Sequence, residues 1–292
     1  LGFSHTNDLS TESLRRVVEQ TMAMARHATR DEHLGLPEFT GPAGGRTGDL
    51  QLEDHALASL TTERKIEMAQ AMEQAALQKD PRVLLVEGAS FADETTDMVL
   101  LNSRGFWGYA RGTASSLSCA VVAQQDGKKQ IGHWYSHRRF LSDHETPENV
   151  GATAAERAVR LLGARPIPTG RYPVILDPLM AASLLGAVAS ALNGESVYRK
   201  LSFMTERLGR EVGSHVLTVY DDGVMPRGLG SRPFDGEGVP TRRKVVIENG
   251  ILRTFLYDSY TGRKAGVPST GNAMRGYDSL PHIGPLNFYL QA

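Results

Sequence analysis

The chain has 292 residues, 40% of them hydrophobic and 22% charged, with 32 basic and 33 acidic side chains and a formal net charge of -1. This is globular composition, long enough for two domains with sizeable cores, so wholesale disorder is excluded. The near-zero charge gives no long-range attraction for nucleic acid or an anionic membrane, so neither is expected as a direct partner. No apolar run reaches the roughly 18 residues of a membrane span, and the first residues carry no export pattern, so a cytoplasmic setting is expected.

In chain order, Ser10 is the natural N-cap of a helix over about 11–28, whose stripe is Leu14, Val17, Val18, Thr21, Met22 and Ala25. Residues 29–58 lose periodicity and gather seven Gly and Pro residues, from Gly35 to Gly48, which predicts a long surface connection. A second helix starts at Thr61 or Thr62 and ends at Asp80-Pro81. Five strand-like runs follow: Val83–Val86, Met98–Leu101, Gly105–Ala110, Leu117–Ala123 and Gln130–Tyr135. With turns at Asn102–Gly105 and Gln125–Gly127, they predict an antiparallel meander. Thr146-Pro147 opens a helix closed by Gly163. The fold class expected is α+β: a meander domain flanked by helices over 1–166, then a second mixed α+β domain rich in strand over 167–292. The chain begins abruptly at Leu1-Gly2-Phe3 and stops just after a strand-like run, so each domain is expected to be incomplete at its outer end.

The second domain opens on Tyr172–Leu176, a compact apolar run read as a buried strand. Asp177-Pro178 starts a helix and Asn193-Gly194 stops it. Between them only Ser183, Gly186 and Ser190 interrupt the apolar and Ala positions, which predicts a helix buried on all sides. It carries no His, Cys, Asp, Glu, Lys or Arg from Leu179 to Leu192, so it mounts no catalytic group. Beyond it lie a predicted helix near Ser202–Leu208, a strand at Val216–Tyr220, a loop over 221–241, and a hairpin over 244–257 turned on Asn249-Gly250.

Chemistry-bearing patterns are sparse. His133 and His137 form the one close His pair, but their aromatic setting predicts a strand, on which four residues separate the Cα atoms by roughly 13 Å. That is too far for one tetrahedral zinc ion. Gly88-Ala89-Ser90-Phe91-Ala92 lacks the last Gly of a nucleophile elbow, no phosphate loop is present, and Gly228-Leu229-Gly230 sits in the wrong context for a dinucleotide. Cys119, the single cysteine, lies in an apolar run and reads as an inert buried thiol. The loop over Gly228–Thr241 is different. It places Asp235 and Glu237 two residues apart with Arg232 and Phe234 beside them, a grouping that suits acid–base work, a hard cation, or an internally paired rigid turn.

The run Leu229–Arg243, including Gly230-Ser231-Arg232-Pro233-Phe234-Asp235-Gly236-Glu237-Gly238, resembles the TldD/PmbA family. So do Ile247–Leu252, Ser259-Tyr260-Thr261-Gly262-Arg263-Lys264 and Ser269–Ala273. Gly194–Lys200 is closest to the PmbA (TldE) branch, and Val121–Gly127, Trp134–Ser136 and Ala154–Arg157 extend the likeness through the first domain. The resemblance implies a cytoplasmic, heteromeric zinc metalloprotease. Its TldD-type subunits carry His-Glu-x-x-x-His on the helix after the strand, with a later Cys. Here Leu185–Leu192 occupies that place, so no ligand or general base transfers and no cofactor is expected in this chain.

The zinc is implied on a TldD-type partner, with unfolded or flexible peptides, among them peptide-antibiotic precursors and labile antitoxins, as substrates. A homodimer is an expected state of the isolated chain. Arg232, Phe234, Asp235, Glu237, Tyr260 and Arg263 are the candidates for lining a cleft or touching the partner. Two further functions stay open: a regulatory binding protein of the DNA gyrase modulator type, and a metal-independent hydrolase using Asp235 and Glu237.

Overall fold

The computed structural model describes residues 1–37 and 50–291. The expected loop over 29–58 therefore lies partly outside the described residues. The chain divides into two units, and each has an α+β architecture as the sequence predicts. One comprises Gln51–Asp97 and Arg111–Ile175; the other comprises Leu1–Leu50, Met98–Ala110 and Leu176–Ala292. Residues 1–37 and Leu50 thus cluster with the C-terminal half rather than with the meander, because their partners lie there. Among them, Tyr260 Oη donates to Asp31 Oδ2 at 2.7 Å.

The elements are α1 (Thr11–His27), α2 (His55–Ala58), α3 (Thr62–Lys79), β1 (Val83–Leu101), β2 (Trp107–Gln125), β3 (Lys128–Arg138), α4 (Pro147–Arg160), α5 (Pro178–Ala191), α6 (Gly194–Tyr198), β4 (Thr218–Asp222), β5 (Arg243–Glu248), β6 (Ile251–Leu252), α7 (Ser259–Ala265), β7 (Ala273–Met274), β8 (His282–Ile283) and β9 (Asn287–Gln291). The predicted caps hold: Ser10, Thr61, Thr146 and Asp177 each accept a backbone N–H from the first turn of α1, α3, α4 and α5.

In the meander unit, β1, β2 and β3 form one antiparallel sheet in that order. The five predicted runs are three long strands, since ladder hydrogen bonds come from backbone groups and carry the sheet through polar stretches such as Glu87–Asp97. Asp126-Gly127, at φ 51° and 74°, makes the two-residue turn that pairs Gln125 with Lys128. Alternate residues Leu117, Cys119, Val121 and Ala123 of β2 are buried against Met68, Met72 and Ala76 of α3 and Val150, Ala154, Ala155 and Ala158 of α4. The strand period of two thus meets the helical stripes in one layer. Close approach depends on glycine: a Cβ on Gly132 of β3 would lie 2.2 Å from Ala158 N. Cys119 sits in this core, and burial pushes its thiol up to about 11. His133 and His137 lie on β3, as their context predicts.

In the other unit, the antiparallel sheet has the order β6-β5-β4-β9. Asn249-Gly250, at φ 50° and 78°, turns β5 into β6. Leu192, Met204, Val219, Val246, Ile247, Leu252, Phe255 and Leu256 are the core. The end of α5 is tied in by Leu256 N–H donating to Leu192 O at 2.9 Å and Gly194 N–H donating to Leu256 O at 2.8 Å.

Three local expectations differ. Tyr172–Leu176 is irregular and exposed, with Ile175 fully so, because no strand among the described residues pairs with it. Helix α5 stands where the caps put it, yet it buries only Ala189 and Ala191 and leaves Met180 and Leu184 on the surface. Residues 202–208 form turns rather than a helix, with Ser202 Oγ bonded to Ala191 O and Thr205 Oγ1 bonded to Ser202 O. Among the described residues, no helix is long and apolar enough to cross a membrane.

Candidate functional site

The loop over 228–241 is built around Asp235. Its Oδ1 accepts from the N–H groups of Glu237 and Val239, both at 2.9 Å, and its Oδ2 accepts from Ala273 N–H at 3.1 Å. Gly236 N–H returns a bond to Ala273 O at 2.7 Å, so one carboxylate closes the loop on itself and fastens it to β7. Gly238 makes the turn at φ 90°, a conformation that side chains disfavour. Asp235 is 0% exposed. Burial pushes its carboxyl up to about 7, against the pull of the three N–H donors, which favour the anion. With every oxygen bonded and no surface, Asp235 has no access to a substrate.

The neighbouring side chains serve the same scaffold. Phe234 is buried edge-on against Phe106, ring centroids 5.2 Å apart. Glu237 is half-buried and its Oε2 accepts from Ser259 N–H at 2.7 Å, at the first turn of α7. Burial raises its carboxyl, opposed by Ser259 and by Arg263. Tyr260 and Arg263, one turn apart on α7, reach the 31–35 segment: Tyr260 bonds Asp31, and Arg263 donates to His33 O at 2.6 Å and Gly35 O at 2.8 Å. Asp235, Glu237, Tyr260 and Arg263 thus form one connected clasp, with Phe234 packed beneath it. Arg232 lies in the same loop but bonds neither Asp235 nor Glu237.

A charged cluster escaped the sequence reading. Asp221 of β4 is fully buried, its Oδ2 bonded by Lys244 Nζ and Asn272 Nδ2, each at 2.7 Å, and its Oδ1 by Leu286 N–H at 2.6 Å. Burial lowers the Lys244 ammonium, while Asp221 supports its charge. The strand spacing places Lys244 opposite Asp221 in the β4–β5 register. Nothing local marks Asn272, which is 51 residues away.

Beside α5 is a 330 Å³ cavity lined by Gly186, Ala189 and Ser190, together with Asn193, Leu256 and Ile283. Its Ser190 and Asn193 side chains are used internally. Ser190 Oγ donates to Gly186 O, Asn193 Nδ2 donates to Ile283 O, and Asn193 Oδ1 caps α6. Among the described residues, no group of three or more His, Cys, Asp or Glu side chains is placed to hold a metal ion. The donor set on α5 does not fit zinc, which needs N, S or carboxylate ligands.

Two successive family patterns match this chain: the PmbA/TldA metallopeptidase central domain over residues 55–162 and the PmbA/TldA metallopeptidase C-terminal domain over residues 169–292. The chain belongs to the PmbA/TldD family. It is 36% identical over 277 residues to the metalloprotease PmbA of Escherichia coli O157:H7, covering 93% of this chain and 60% of that protein. It is 32% identical to the metalloprotease TldD homologue of Haemophilus influenzae, covering 100% of this chain and 61% of that protein. The chain therefore spans about 60% of the length of these curated relatives.

Among solved structures, a candidate modulator of DNA gyrase from Bacteroides thetaiotaomicron matches with TM-score 0.87 and 30% identity, over 99% of this chain and 64% of that one. TldE from Thermococcus kodakarensis matches with TM-score 0.82 and 23% identity, over 98% and 64%, which establishes a shared fold.

Proposed function

We propose that this chain is the non-catalytic, PmbA/TldE-type subunit of a TldD/TldE zinc metalloprotease, pairing in the cytoplasm with a TldD-type subunit that supplies the zinc. The substrates of the pair are unfolded or flexible peptides, in peptide maturation or antitoxin turnover. One observation carries this reading: α5, the helix that bears the metal ligands in TldD-type chains by family resemblance, is here built only of Pro, Leu, Met, Ala, Ser, Gly and Val. Its exposed Met180 and Leu184, with Val174 and Ile175 before them, supply apolar surface of the kind a permanent partner covers. Alone, the chain pairs with itself as a homodimer.

The test is metal analysis and peptide cleavage with and without a TldD-type partner. The purified chain is expected to hold far less than one zinc per molecule and to cleave nothing alone, with cleavage appearing when the partner is added. Stoichiometric zinc in the purified chain, or cleavage by it alone, refutes the proposal. The gyrase-modulator description of the Bacteroides thetaiotaomicron relative motivates a second reading, as a regulatory binding protein. That reading predicts binding to gyrase itself, since a net charge of -1 offers little for duplex DNA.

A further inference from the structure

Arg232 stands apart from the clasp around it. Its backbone is fixed on both sides, the N–H donating to Gly223 O at 3.1 Å and the carbonyl accepting from Thr241 Oγ1. The side chain is half-buried. Among the described residues, its guanidinium makes no hydrogen bond and has no carboxylate oxygen within 4.0 Å. The buried side-chain polar atoms that lack partners are Asn102 Nδ2 and Ser259 Oγ. The Arg232 nitrogens are not among them, so they remain open to solvent. A guanidinium carries five N–H donors in a planar fork, and leaving it partly desolvated without an acceptor is costly.

The surroundings explain why no internal acceptor takes it. Burial works against the Arg232 charge, while Asp235 and Asp221 support it through space. Both carboxylates are already committed: Asp221 to Lys244, Asn272 and Leu286, and Asp235 to three backbone N–H groups. Arg232 is therefore held in a favourable field while its fork is free for a ligand. The charge balance narrows the ligand. Lys244 already neutralises Asp221 at 2.7 Å, leaving Arg232 about one positive charge to offer. A carboxylate carries one charge, which balances that of the guanidinium, and matches the fork with two parallel bonds, whereas a dianionic phosphate would leave one charge unbalanced.

We propose that Arg232 is the anchor of a carboxylate-binding site that takes the C-terminal carboxylate of a flexible peptide. The source of the carboxylate rests on the peptide-handling function proposed above; the carboxylate chemistry rests on Arg232 alone. The site gives the chain a means of orienting a peptide by its end, independent of side-chain sequence.

The experiment titrates the full chain with two fluorescein-labelled copies of one flexible peptide, one ending in a free carboxylate and one amidated, with acetate alone as a competitor. The free acid is expected to bind about tenfold more tightly, the effect of one charge-assisted contact, and acetate is expected to weaken the acid without affecting the amide. Arg232→Gln is expected to bring the two peptides to equal affinity, with circular dichroism unchanged, and Arg232→Lys to keep part of the preference. Equal binding of both peptides by the unaltered chain, binding of neither, or a preference that survives in Arg232→Gln overturns the proposal. If partner-dependent cleavage persists while the acid preference is absent, the carboxylate site alone is refuted. If cleavage never appears, the function proposed above fails separately.

Discussion

Replacing Gly151 by Ala sets two effects of opposite sign against each other. Gly151 lies inside α4, where Ala is favoured over Gly by about 1 kcal/mol. A Cβ there would sit 2.0 Å from Met72 O, 2.8 Å from Met72 C and 3.0 Å from Met72 Cα, all backbone atoms of α3. Ordinary contact lies near 3.5 Å, so the helices must separate by roughly 1.5 Å along that line. No side chain can rotate away to relieve the clash. The movement would loosen Met72, Ala76, Val150 and Ala154, all 0% exposed, and overpacking of this kind costs typically 1–3 kcal/mol and occasionally more. Because the clash is with backbone, the cost lies at the upper end of that range, and after the helix-propensity gain of about 1 kcal/mol a net loss of roughly 2 kcal/mol is expected, lowering Tm by several degrees. The assay is urea unfolding in a Trp107→Phe background, leaving Trp134 of the same unit as the reporter. An unchanged or raised midpoint would mean that α3 and α4 do not approach as closely as described.

Gly186→Ala is the matched control, because its Cβ would meet nothing within 4 Å. With propensity unopposed inside α5, a gain of about 0.5–1 kcal/mol in thermal unfolding is expected, and a loss would show that the space beside Gly186 is filled. For pH, Asp235 holds its proton up to about 7 in the folded chain, against 3.8 for an ordinary Asp. The folded state then binds more protons between those values, so this residue's contribution to stability is greatest below about pH 4, falls as pH rises to about 7, and levels off above. Asp235→Asn should remove that slope in urea midpoints measured from pH 4 to 8, and an identical slope in both proteins would refute the assignment.

The helices and hairpin turns were legible because their determinants are local: a cap and a stripe for α1, α3 and α4, Asn249-Gly250 for β5 and β6. Helix α5 shows the limit of the same logic. Asp177 and Pro178 located its start, but an apolar surface reports what a helix can bury, not whether something covers it. Tyr172–Leu176 has strand chemistry, yet a strand is a relation between two segments and no described neighbour pairs with it. In the Gly228–Thr241 loop, spacing exposed the carboxylate pair but not its employment. Asp235 binds backbone N–H groups, one of them 38 residues away, and backbone donors leave no mark in a sequence. The isolation of Arg232 was equally hidden, since Asp235, three residues along, suggested an internal ion pair.

The bond between Asp31 and Tyr260 spans 229 residues. During synthesis at roughly 5–20 residues per second, the 31–35 segment would emerge roughly 10 to 45 seconds before its α7 partners. Through that interval the early segment has only local structure to protect it, while the meander, contiguous apart from the 98–110 hairpin tip, can begin to assemble. The order of the gene thus makes the 31–35 segment wait for α7, and a ribosome stalled before Arg263 would carry it without its full set of partners and open to proteases.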